Sequence, residues 1–394
     1  MKKILSFSLF IVIIISLSAE DIFSIPAFAR KYKMSCKTCH APIPKLKAYG
    51  NDFAANGFVI KDKDAPRYYV KTGDEDLSLL RDIPFAIRFE GYLTYNIRNS
   101  EFTDFTAPYL LKLLSGGSIA KDISYYFYFF FSERGNVAGI EDAFLMFNNV
   151  FNTEIDFYIG QFQVSDPLFK RELRLTFDDY IIYIVRPGES RINLTYDRGV
   201  IFNYGFDTGT GITLEVLNGT GIGEASLFRA FDKDKYKNVF ANVTQDIGEH
   251  FRLGVEGYYG NELLDNLNTD TSERNELWMA GADATISVEP LELNLQYLYR
   301  NDSNPFASIP SEVREVNTKG GLAELIFKPK GDESDWYMVA LYNKVNSGDP
   351  NIRWESLGLH FGYLARRNIR LVFEYSYNIE HEYGRIGVGF VSAF

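Results

Sequence analysis

From Pro84 to Phe394 the chain alternates apolar and polar side chains with a period of two, run after run. In the first run Phe85, Ile87, Phe89, Leu93, Tyr95 and Ile97 share one face; Arg88, Glu90, Thr94, Asn96 and Arg98 share the other. Leu291–Arg300 and Ile369–Asn378 repeat the pattern. Such alternation is the signature of strands with one apolar and one polar face. A soluble β-sandwich also alternates, but these runs are about 11 residues long, the length of a tilted strand crossing a bilayer. Their apolar faces are dense in aromatics, the chain holding 33 Phe and 26 Tyr with 31 Gly. The last run ends on Phe394, in parity with Ile386, Val388 and Phe390. Beyond the leader, no stretch of 18 apolar residues offers a membrane helix. The fold class this predicts is all-β with a small α segment: a closed antiparallel outer-membrane barrel with its apolar face to lipid.

Sixteen strands are expected, near 84–97, 107–119, 122–133, 139–149, 154–163, 197–207, 211–218, 236–247, 250–260, 274–287, 291–301, 317–328, 334–345, 354–364, 367–378 and 383–394. Connections after odd strands read as mostly long (98–106, 164–196, 219–235, 261–273, 302–316, 346–353), those after even strands as short. Short periplasmic turns alternating with long outer loops fit this asymmetry and place both termini on the periplasmic side. A barrel of this strand number encloses a lumen wider than its own side chains fill. The longest connection, 164–196, carries Lys170, Arg171, Glu172, Arg174, Asp178, Asp179, Arg186 and Arg191. It either folds into the lumen and narrows it or stays exposed, and the residues leave both open.

Upstream of the barrel the chain divides into three parts. Lys2 and Lys3, the apolar run Ile4–Leu17 and the small residues Ser18 and Ala19 read as a secretory signal peptide over 1–19. Residues 20–66 are helical and loop-like, 67–83 form a linker, and 84–394 the barrel. A net charge of −11 argues against nucleic acid as a partner.

The segment 20–66 holds Cys36-Lys37-Thr38-Cys39-His40, with the only two cysteines of the chain. C-x-x-C-H is the attachment pattern of haem c. Two thiols spaced by two residues add to the two vinyl groups of one porphyrin, and the next imidazole lies under the iron as proximal ligand. A zinc site would want two further ligands at metal spacing, and a thioredoxin-like pair a βαβ setting. Export suits the haem reading, because this attachment takes place outside the cytoplasm. Phe28, Met34, Leu46, Phe53 and Phe58 are candidates to pack on the porphyrin or on one another. No distal ligand is evident. Met146, Met279, Met338 and His360 have lumen parity, and Met146, Met338 and His360 are the candidates carried forward. A five-coordinate iron, or ligation by Lys45 or Lys47, stays open.

Ile25-Pro26-Ala27-Phe28-Ala29-Arg30, Met34-Ser35 before the motif, and Pro42, Pro44, Leu46, Gly50, Phe53, Gly57 and Phe58 after it resemble the fused monohaem cytochrome–porins. That family includes the outer-membrane iron-oxidising cytochromes. The match covers about 40 residues. Farther on, Phe157–Phe162, Arg198-Gly199-Val200 and Glu215–Gly221 resemble phosphate-selective-type porins, in framework rather than in substrate. The resemblance implies one covalent haem c on Cys36, Cys39 and His40, held under or in the lumen, and electron transfer across the outer membrane. It implies Fe(II) as external donor, a periplasmic electron carrier as acceptor, and outer-membrane lipid as surroundings. Two other functions stay open: a diffusion porin for small solutes with a haem-bearing plug or redox gate, and electron export to an external acceptor.

Overall fold

The computed structural model describes residues 27–60, 83–97, 102–266, 271–308 and 315–394. The expected leader and nearly all of the expected linker lie outside the described residues. Sixteen strands form one closed antiparallel barrel: β1 (Phe85–Ile97), β2 (Phe102–Ala120), β3 (Ile123–Glu133), β4 (Asn136–Phe147), β5 (Ile155–Gln163), β6 (Tyr196–Gly205), β7 (Thr210–Leu217), β8 (Asn238–Ile247), β9 (Phe251–Asn266), β10 (Thr271–Val288), β11 (Leu291–Asp302), β12 (Val316–Phe327), β13 (Trp336–Ser347), β14 (Trp354–Arg366), β15 (Ile369–Asn378) and β16 (Tyr383–Ala393). Each strand pairs with the next, and β16 returns to β1 in a register from Arg88 opposite Ala393 to Ile97 opposite Gly384. Ile87 and Phe394 close the seam by exchanging two backbone hydrogen bonds, of 2.6 and 2.9 Å.

The two faces are inverted relative to a soluble protein. On β14, Leu357, Leu359, Phe361 and Tyr363 are exposed, while Ser356 and His360 between them are buried. On β15, Phe373, Tyr375 and Tyr377 face out, and Arg370, Glu374, Ser376 and Asn378 face in. Strict alternation allows this because successive side chains leave a strand on opposite sides.

The sequence places all sixteen strands, but β2 begins five residues before the expected 107, and β9 runs on from 260 to Asn266. Several of the extra pairs are polar, such as Thr94 opposite Asp104 and Asn275 opposite Glu262. Backbone pairing continues past the apolar belt without needing apolar side chains, so periodicity alone ends these strands too soon.

Met338 is a correction. Its expected place on the lumen face is wrong: it is 47% exposed on the outside of β13, while Tyr337, Val339, Leu341 and Val345 face inward. The inward face of β13 is apolar because protein packs against it, and Lys344, in parity with Met338, pairs with Glu355 at 3.1 Å on the outer side. Met146, Met279 and His360 do face inward and are buried.

Leu359 sits mid-strand on the outward face of β14. Leu359→Arg is expected to cost about 2–4 kcal/mol in a bilayer, read as a lowered urea midpoint in lipid vesicles. An unchanged midpoint would mean that this face does not meet lipid.

Candidate functional site

The N-terminal segment is built from helix α1 (Ala27–Tyr32), a 3-10 turn over Cys36–Thr38 and helix α2 (Ala48–Ala55). So short a chain cannot bury much surface, and its core is four aromatic rings. Phe28 meets Phe53 edge-on at 5.4 Å and stacks on Phe58 at 4.8 Å, and Tyr32 meets Phe53 at 5.6 Å. Thus Phe28, Phe53 and Phe58, candidates to pack on the porphyrin or on one another, do pack on one another.

The barrel completes this core. Phe58 stacks on Tyr126 of β3 at 5.1 Å, and Asn148 donates to the Ala55 carbonyl at 2.9 Å. Gly57, at φ +66°, turns the chain between them, and a Cβ there would lie 2.2 Å from Ser124 Oγ. On the opposite side of the ring, Lys37 pairs with Glu333 at 2.6 Å, Lys47 with Asp332 at 3.3 Å, and Lys45 with Glu292. Arg370 donates to the Ile43 carbonyl at 3.1 Å. The segment therefore lies across the short-turn mouth, from β3–β4 to β11–β15.

The motif itself is compact. The backbone N–H groups of Cys39 and His40 both donate to the Cys36 carbonyl, at 3.2 and 3.0 Å. This fold of the chain presents two free, half-buried thiols one turn apart. The Cys39 carbonyl accepts from Lys47 N–H at 2.9 Å, and Gly50 packs so closely that a Cβ would lie 2.3 Å from it. His40 Nδ1 lies 2.6 Å from the Pro44 carbonyl. A carbonyl only accepts, so Nδ1 carries the proton and Nε2 keeps its lone pair. Burial lowers the His40 pKa, which keeps the ring neutral at pH 7, as a metal ligand must be. Burial raises both thiols. Two thiols, a neutral imidazole with its second nitrogen already bonded, and an Nε2 with no hydrogen-bond partner among the described residues fit the demands of haem c. A shallow cleft beside His40 is lined by Ile43, Lys328, Asp332 and Leu364.

The expected distal ligands do not converge there. Met146 is packed in an apolar cluster with Tyr158 and Phe162, across the ring from the cleft. Met338 faces outward. His360 has both nitrogens engaged, Nδ1 with Glu374 at 2.9 Å and Nε2 with Tyr337 OH at 3.4 Å. Lys45 and Lys47 are held in their ion pairs.

Between β5 and β6 the chain enters the lumen, which settles the two readings of this loop. It carries helix α3 (Ile181–Ile184). Ile181, Ile182, Tyr183, Ile192 and Leu194 pack on Ile201, Leu217, Phe240, Leu298, Leu322 and Leu341 of the wall. An apolar core thereby fills part of the lumen on the β4–β13 side. The loop turns its charges to the remaining strands. Arg171 and Arg134 each pair with Asp179 at 2.9 Å, and Arg385 pairs with Asp178. Glu133, Glu141 and Glu172 bring carboxylate oxygens within 4.8 Å of one another. Lys112 Nζ stands among them, 2.7 Å from Glu172 and 3.1 Å from Glu133, and also contacts Glu141, so a lysine fills the place a metal ion would take. Sequence reading missed Lys112, Glu292 and Arg370, because each looks like any other polar lumen position on an alternating strand.

No protein-family model and no curated protein matches this chain. Solved structures match its fold. The outer membrane channel DcaP of Acinetobacter baumannii is 14% identical with a TM-score of 0.57, over 79% of this chain and 97% of that one. The anion-selective porin from Comamonas acidovorans is 9% identical with a TM-score of 0.55, over 79% and 99%. OprB of Pseudomonas putida at high pH is 11% identical with a TM-score of 0.55, over 79% and 94%. At these identities the likeness is one of fold: the chain is a porin-like barrel.

Two outcomes are expected. In haem-free protein at pH 7.5, Cys36 and Cys39 should alkylate more slowly than a free thiol, and the rate should still be rising at a pH where a free thiol has levelled off; a rate matching glutathione would contradict the burial. Lys112→Met removes the cation shared by three buried carboxylates, and Glu141 loses the one ion pair shown for it; this should cost about 3–5 kcal/mol, seen as a lower thermal midpoint in detergent.

Proposed function

We propose that this chain is an outer-membrane porin-type barrel whose periplasmic mouth is stoppered by a segment carrying one covalent haem c. The segment would pass electrons between the lumen and a periplasmic carrier. The observation that carries the haem part is the His40 Nδ1–Pro44 bond, which leaves Nε2 free beside two unpaired thiols. Bound there, haem supplies a one-electron redox centre. The residues' own parts are separate. Cys36 and Cys39 hold the group covalently, His40 offers Nε2 to the iron, and Pro44 fixes the imidazole. Fe(II) as external donor rests on the resemblance to the iron-oxidising cytochrome–porins. The segment meets the lumen wall at Tyr126 and Arg370, at the short-turn end of the barrel. A haem clear of a hydrocarbon core about 30 Å thick would be too remote from an outer donor.

Solute diffusion with the segment as plug or redox gate is the second reading, and the fold likeness favours it. The neighbours are channels and porins, and ion pairs such as Arg134–Asp179 and Arg385–Asp178 tie the loop to the wall it would have to leave open. Electron export to an external acceptor uses the same parts in reverse.

Two measurements on purified protein separate these readings. Anaerobic Fe(II) should raise a reduced c-type α band in the wild type, and Cys36→Ala/Cys39→Ala should lack covalent haem. Covalent haem in that variant would sink the assignment. A band raised by dithionite but not by Fe(II), together with open-channel conductance in planar bilayers, would favour the gated porin.

A further inference from the structure

Pro44 is gripped by the barrel on both sides. On one side the Ile43 carbonyl accepts from Arg370 Nη1 at 3.1 Å, and the same nitrogen donates to Tyr337 OH at 2.7 Å. Tyr337 leads to His360, and His360 to Glu374. The Glu374 carboxylate then accepts the amide N–H groups of Phe177 and Asp178, at 2.6 and 2.9 Å, in the lumen loop. On the other side Lys45 pairs with Glu292. Asn294 donates to Glu292 at 3.1 Å and to Glu324 at 2.9 Å, and Tyr180 of the loop donates to Glu324 at 2.9 Å. Every wall residue in both chains of contacts is less than a tenth exposed. Both run from a residue next to Pro44 to the stretch 177–180. Buried hydrogen-bond networks stiffen the groups they join; of these members Arg370 Nε alone is buried without a hydrogen-bond partner among the described residues.

We propose that Arg370 and Glu292 are positioning residues for His40: they hold the Pro44 carbonyl where it sets the orientation and hydrogen bonding of the imidazole. This rests on the haem reading for its redox consequence, though not for the clamp itself. The imidazole's Nδ1–H bond tunes its strength as a ligand, so a displaced Pro44 alters the iron's ligand field and potential. Neither residue meets the iron; each acts through the 43–45 backbone.

The test uses the full-length protein in detergent. With haem loaded, Arg370→Met and Glu292→Gln should keep covalent haem but shift both its midpoint potential and its ferric EPR g-values, and Arg370→Lys should recover part of the shift. Arg252→Met is the control, because Arg252 is a lumen-facing cation that pairs with Asp283 and has no hydrogen bond or ion pair with the described residues of the segment. If Arg252→Met shifts potential and g-values as far as Arg370→Met does, the effect is general lumen charge and the proposal falls. In haem-free protein, Arg370→Met and Glu292→Gln should raise the alkylation rate of Cys36 and Cys39 at least fivefold over the parent. Unchanged rates in both would overturn the clamp. If the wild type takes up no haem, the haem reading fails, and the alkylation rates alone decide the clamp.

Discussion

Everything in this protein depends on the seam between β1 and β16. A bilayer offers no water to strand edges, so every backbone N–H and C=O at membrane depth must find its partner within the protein. Ring closure from Ile87 and Phe394 upward meets that demand. It also forces the distribution of side chains. With lipid outside, the polar half of each alternating strand has only the interior left to occupy, and buried glutamates and arginines become the rule rather than the exception.

An interior crowded with ionised groups needs its own order. The lumen loop supplies it by splitting the interior into two regions of different chemistry. Its apolar face joins Leu217, Phe240, Leu322 and Leu341 into a core like that of a soluble domain. Its charged face is tied residue by residue to Lys112, Arg134, Glu374 and Arg385. The N-terminal segment repeats the arrangement at the mouth, with aromatic packing on the β3 side and ion pairs on the β11–β15 side. The protein's acidic balance is thus matched locally by a run from Arg30 to Lys47 that holds only basic charges.

The barrel was legible in the sequence because alternation is a direct projection of lipid on one side and water on the other. It failed where that projection fails. β2 and β9 extend beyond the expected ends, where polar pairs such as Asn275 opposite Glu262 interrupt the alternation while backbone pairing persists. The Met338 face was inverted because the β13 lumen side packs on protein and reads as apolar. The motif Cys36, Cys39 and His40 was legible as a pattern of reactive atoms. The carbonyl of Pro44 was not, since a backbone acceptor leaves no mark on residue type. Nor were Arg370 and Glu292, whose roles come from strands more than 240 residues downstream being curled back beneath the same turn. Whether the loop enters the lumen was equally hidden, because its charges suit an exposed loop and an inserted one alike.

The seat of the N-terminal segment is assembled from Tyr126 and Asn148 on one side and from Glu292, Asp332 and Arg370 on the other. These sites come together only once the ring has curled round. A stretch that precedes the whole barrel in the chain can therefore take its final position only after the last strands are in place. Until then Phe58 has no ring from the wall to stack on, and Lys37, Lys45 and Lys47 have no carboxylates to meet. The segment is made before the barrel and fitted after it.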